Sequence, residues 1–75
     1  MRWQDHIVAS PDVLHGAPRF KGTPIPVSLV LEDLAVGTTI EELRQDYPSL
    51  PPEAVAAALA YAAALASGPP GAPPA

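Results

Sequence analysis

Phe20-Lys21-Gly22-Thr23-Pro24-Ile25-Pro26-Val27 divides the 75-residue chain into two regimes. Upstream the sequence is extended and punctuated by proline; downstream it turns helical. Gly22 tolerates the positive φ of a tight turn. Pro24 and Pro26 fix their own φ and push Thr23 and Ile25 towards β or polyproline geometry. Pro26 also lacks an N–H, which suits the opening of a helix. Lys21-Gly22 is placed to close a hairpin between Pro18–Phe20 and Thr23–Ile25.

Working upstream, His6-Ile7-Val8-Ala9 and Val13-Leu14 are short apolar patches, separated by the turn signals Ser10-Pro11-Asp12 and His15-Gly16-Ala17-Pro18. Residues 1–26 therefore read as an N-terminal arm with one or two short strands. Such strands are too short for an independent sheet, so the arm must lie on the helices or on a second copy of itself.

Working downstream, Val27, Val30, Leu31, Leu34 and Ala35 share one face of a 3.6-residue period, and Gly37 stands where a left-handed residue ends the helix. Thr39 with Glu42 three positions on is a capping box, and Ile40, Leu43 and Tyr47 share a face until Pro48 stops the second helix. A third helix is expected from about Pro51 to Ala66. Residues 27–66 thus form a three-helix, helix-turn-helix-like domain, mainly α in class. Residues 67–75, rich in Gly, Pro and Ala, read as an extended or disordered tail. No internal repeat is visible.

Composition narrows the function. A chain this short buries roughly 60% of its unfolded surface, and with no cysteine it has no disulfide or thiolate metal site. Net charge is −4, and the four cations Arg2, Arg19, Lys21 and Arg44 are scattered, which disfavours a phosphate-binding face. The apolar run Ala54 to Ala66 is too short and alanine-rich for a membrane span. No signal-peptide core follows Met1, so a cytoplasmic protein is expected. Within Ala54–Ala66 only the Tyr61 hydroxyl is polar. A helix apolar all round is normally buried, and two helices cannot wrap a third, so a homodimer is expected. Its interface is assigned to Val55, Leu59, Tyr61, Ala62 and Ala66.

Catalytic chemistry is hard to find. Glu41/Glu42 and Glu32/Asp33 are adjacent carboxylates that point to different faces of a helix, whereas catalytic pairs must converge. Solvated positions and helix-dipole partners account for them. His6 and His15 match no metal-ligand spacing, and interface or loop histidines are their plainer reading. Lys21-Gly22-Thr23 lacks the earlier glycine of a phosphate loop, and Pro24 removes a donor. No enzyme activity, cofactor or metal is expected. The third helix, placed as a recognition helix in a major groove, carries none of the residues that read base edges before Ser67.

Taken together, Ile7 to Val27, then Leu34-Ala35-Val36-Gly37-Thr38-Thr39-Ile40-Glu41-Glu42-Leu43, Tyr47-Pro48-Ser49-Leu50 and Val55 to Ala62 resemble the prokaryotic "domain of unknown function 433" family. The resemblance covers about residues 6 to 63. It implies a helix-turn-helix-like, homeodomain-like three-helix domain with a short β arm. It further implies a dimer and an antitoxin-like role beside a PIN-like nuclease toxin. Three departures stand out: Pro24 replaces the arginine of Gly-Thr-Arg-Ile, His15 and Ala17 are unusual, and Pro51 replaces the Ser or Thr cap of the third helix. Loss of that cap forgoes on the order of 1 kcal/mol. Without the arginine, Arg19 and Lys21, with Thr23 beside them, become the residues expected to meet a partner's acidic site. The alternative on this fold is a helix-turn-helix DNA-binding transcriptional regulator.

Overall fold

The computed structural model describes residues 2–67. In chain order a 3-10 turn, Trp3–Asp5, precedes strand β1, Ile7–Val8. A second such turn, Leu14–Gly16, precedes strand β2, Arg19–Phe20. Three helices follow: α1, Val27–Ala35; α2, Ile40–Asp46; and α3, Pro52–Ser67. The architecture is the expected one, three helices with a short β arm. Ser67, expected in the tail, instead ends α3, its hydroxyl donating to the Ala63 carbonyl at 2.9 Å. The extended tail expected over 68–75 lies outside the described residues.

β1 and β2 pair antiparallel, with Ile7 opposite Phe20 and Val8 opposite Arg19. The strand alternation sends Ile7 and Phe20 inward and leaves Val8 and Arg19 on the other face. Beyond β2 the chain doubles back, bridging Arg19 with Pro26. The Phe20 N–H donates to the Ile25 carbonyl at 3.1 Å, so residues 21–24 all belong to the turn. The expected hairpin is present with a longer loop, because Thr23 is held inside it. Its hydroxyl donates to the Phe20 carbonyl at 2.9 Å and accepts from the Ile25 N–H at 3.1 Å. Gly22 takes φ +79°. Pro26 sits one position ahead of the helix, at φ −68° and ψ 142°, as the residue that launches α1.

The arm lies on the helices of its own subunit. Phe20 is 1% exposed and belongs to the core with Ile7, Val27, Val30, Leu43 and Leu50. Burying such a side chain stabilises the fold by about 2–3 kcal/mol. Trp3 meets Tyr61 of α3 edge to face, ring centroids 5.0 Å apart at 73°.

Local signals set the helix ends. Gly37 at φ +93° lets its N–H donate to the Leu34 carbonyl and the Thr38 N–H to that of Asp33. That pair of bonds is the Schellman closure of α1. On α1, Val27 and Val30 are buried and Leu31 and Leu34 half-buried, whereas Ala35 is exposed. At α2 the capping box forms reciprocally, Glu42 N–H to Thr39 Oγ1 and Thr39 N–H to Glu42 Oε1, both 3.1 Å. Ile40 shares a face with Leu43 by helical period, yet it is 51% exposed. With seven residues, α2 sends one side chain, Leu43, fully into the core.

The third helix is divided along its length. Ala54, Val55, Ala57 and Ala58 are buried in its first half. From Leu59 on the helix opens to solvent, with Leu59 50% and Leu65 64% exposed. α3 packs on the Trp3–Asp5 turn and on α1.

Candidate interaction surfaces

Each residue expected to meet a partner has a definite place, and the three do not converge. Thr23 spends its hydroxyl in both directions on the turn, which leaves it a structural residue. Lys21 is exposed, and its N–H closes the ladder by donating to the His6 carbonyl at 2.8 Å. Arg19 is half-buried on the face of β2 opposite Phe20, and its Nη1 is buried without a hydrogen-bond partner. A buried guanidinium nitrogen left unpaired is a cost the fold carries at this position.

Lys21 and Thr23 line a half-enclosed cavity of about 180 Å³ between the arm and the α2–α3 corner. Its floor is Phe20, Leu50 and Ala54, and Asp5, His6 and Ser49 complete the rim. Arg19 is not among its lining residues. A larger groove of about 810 Å³ runs along the outside of the same corner, between Arg44 of α2 and Pro51 and Pro52. It is open to solvent and lacks an enclosing wall.

The residues assigned to a dimer interface also separate. Val55 is 3% exposed within its own subunit, so no surface of it remains for a second chain. Val55 belongs to the subunit's own core, where α1 and the Trp3–Asp5 turn pack on α3. Tyr61 is half-buried against Trp3, and Ala62 is half-buried as well. Leu59 and Ala66 are exposed, and with Ala56 and Ala63 they form a stripe at three- and four-residue spacing along one side of the helix. No charge interrupts that stripe.

The titratable groups are mostly at the surface, and the core of the described residues contains no polar or charged side chain. Glu42 has its pKa lowered from 4.5, first by the Thr39 backbone N–H and then by the Thr39 hydroxyl. Tyr47, half-buried, has its phenol raised above 10.0, first by partial burial and then by the Asp33 carboxylate. Its hydroxyl reaches Asp33 at a long 3.5 Å. One acidic neighbour pair therefore supplies a helix cap and the other a tyrosine contact. Among the described residues, no group of three or more His, Cys, Asp or Glu side chains is placed to hold a metal ion. No helix among them is long and apolar enough to cross a membrane.

One feature had no signal in the sequence. Leu14 and His15 both take left-handed backbone, φ +52° and +55°, followed by Gly16 at +83°. Glycine predicts the third of these, but a leucine in that region is an outlier held by its surroundings. The Ala17 N–H donates to the Leu14 carbonyl at 3.0 Å and the Gly16 N–H to that of Val13 at 3.0 Å, fastening the turn. His15 is exposed on it, and His6 is on the cavity rim; the two are brought to different places.

The family model described as protein of unknown function (DUF433) matches residues 7–62. A similar protein, described as uncharacterized protein y4eO from Sinorhizobium fredii, is 38% identical over 58 residues. The match takes in 77% of this chain and 26% of that protein, so the chain spans about a quarter of its relative's length. No solved structure matches.

Proposed function

We propose, from the premise that this chain belongs to the DUF433 family, that it is a non-enzymatic protein-binding module. In this reading it pairs with a second copy through α3 and grips an acidic partner, an antitoxin-like protein facing a PIN-like nuclease. The observation that carries the reading is the uncharged outer stripe of α3, on which Leu59 is 50% exposed. A contiguous apolar surface on a small domain marks a contact site. A second subunit covering it would add the buried area that so small a core lacks. A nuclease that works through metal-binding carboxylates offers a negative site, and Lys21, exposed on the arm, is the cation placed to meet it, Arg19 lying on the other face.

Two measurements test this. Sedimentation at micromolar concentration should give a dimer; a monomer throughout rejects the α3 pairing. Co-expression with the product of the adjacent reading frame should give a complex with suppressed nuclease activity, and unsuppressed cleavage rejects the antitoxin-like role. The DNA-binding reading rests on the same helix pair, α2 and α3, joined by a short corner. It is weaker because Glu53 and Ser67 are the only polar groups on α3 besides the Tyr61 hydroxyl. A sequence-specific, salt-dependent gel shift by the isolated protein would promote it.

A further inference from the structure

We propose that the cavity between the arm and the α2–α3 corner seats one acidic side chain, a glutamate or aspartate, of a protein partner. The proposal rests on the protein-binding reading above and assigns the place of contact within it. The cavity is amphipathic in the way such a side chain requires. Its floor is buried and apolar, Phe20, Leu50 and Ala54, which suits the methylenes. Lys21, His6 and Ser49 line the cavity, residues whose ammonium, imidazole and hydroxyl are able to meet a carboxylate.

These rim groups are uncommitted. The side-chain hydrogen bonds of the described residues belong to Thr23, the Thr39–Glu42 cap, Tyr47 with Asp33, and Ser67. Thr23 is thereby spent, and the first turn of α3 offers little, because Pro51 and Pro52 lack N–H groups and the Ala54 N–H bonds to the Pro51 carbonyl. The charge must come from Lys21.

A single exposed ammonium decides the source of the carboxylate. An exposed ion pair contributes at most about fivefold in affinity, so a free small acid fills the cavity only weakly and at high concentration. A side chain delivered by a docked protein needs no more than that, since the rest of the interface holds it in place. The volume, about 180 Å³, is on the scale of one side chain. Asp5 lies on the same rim and opposes an anion there, so the two charges predict opposite signs for their removal.

The test is an amide-shift titration of the isotope-labelled full chain with N-acetylglutamate N-methylamide, and separately with its glutamine counterpart. Saturable shifts at Lys21, Ser49, Leu50 and Ala54 with the glutamate probe alone support the assignment. Lys21→Gln should weaken that binding about threefold to fivefold, and Asp5→Asn should tighten it. Both positions are exposed, so the variants keep the core intact. Absent shifts, equal shifts with the glutamine probe, or unchanged affinity in either variant overturn the proposal. No residue of the exposed α3 stripe lines the cavity and no nuclease enters the titration, so its failure and the failure of the dimer or co-expression tests are separate results.

Discussion

The N-terminal arm and the third helix invert what their compositions suggest. The arm is broken by turns and prolines, yet it places Phe20 and Ile7 in the core at 1% and 7% exposure. The third helix carries one charge in sixteen residues, yet its last turn and more, residues 63–67, is exposed among the described residues. Apolar content alone therefore ranks the two regions wrongly. What decides burial is whether a side chain has a facing surface. The arm finds one by laying two strands and the Trp3–Asp5 turn across the helices, and the far end of α3 extends past the described residues that pack on it.

That contrast breaks most directly at Phe20. Phe20→Ala should destabilise the subunit by about 3–5 kcal/mol, comparable with the whole stability of a small domain. A melting curve near that of the parent would show that the arm is ornamental. Trp3→Ala removes the edge-to-face contact with Tyr61 and part of the arm's hold on α3, about 2 kcal/mol in denaturant midpoint terms. An unchanged midpoint would place the anchoring wholly on the strands. Outside both regions, Thr39→Ala deletes the α2 cap and should cost about 1 kcal/mol. It calibrates how much a purely local signal contributes.

The same cap makes a pH prediction. Glu42 titrates below 4.5 in the folded chain, so its stabilising contribution is complete above that value and is lost as pH falls through the lowered pKa. Thr39→Ala should flatten this acid limb. Tyr47 behaves oppositely: its raised pKa means a contribution complete below 10.0 and lost as pH rises through the raised value. Tyr47→Phe should remove that alkaline limb, as read by unfolding across the pH series. The smallest effect on the subunit itself is expected at the open stripe of α3. Leu59→Gln should shift stability by no more than about 0.5 kcal/mol, while abolishing the concentration dependence of sedimentation. A large destabilisation of the monomer would instead mean that Leu59 supports its own core.

Much of the fold was legible because it is written in short-range chemistry. The glycine at 37, the Thr39–Glu42 pair and Pro48 each act within one turn of the chain, and each acts as its residue type requires. The candidate surfaces were less legible. Arg19, Lys21 and Thr23 lie within five residues, yet the hairpin sends Arg19 to one face and Lys21 to a cavity, and it spends Thr23 on the turn. Sequence proximity cannot show that division, because strand alternation and the turn's length set it. Val55 likewise reads as interface from helix periodicity and is interior, since the covering arm comes from more than thirty residues away. Leu14 at positive φ left no mark in the sequence at all.

By itself the sequence determined the order of a short β arm and three helices, the ends of those helices to within about a residue, and the family to which the chain belongs. Those follow from backbone sterics, hydrogen-bond donors removed by proline, and side-chain period, all local quantities. Only the tertiary structure decided which apolar residues are covered, where the arm lies, and which polar groups meet across the cavity. Coverage depends on contacts between segments distant in the chain, and no property of one segment specifies what another will lay against it.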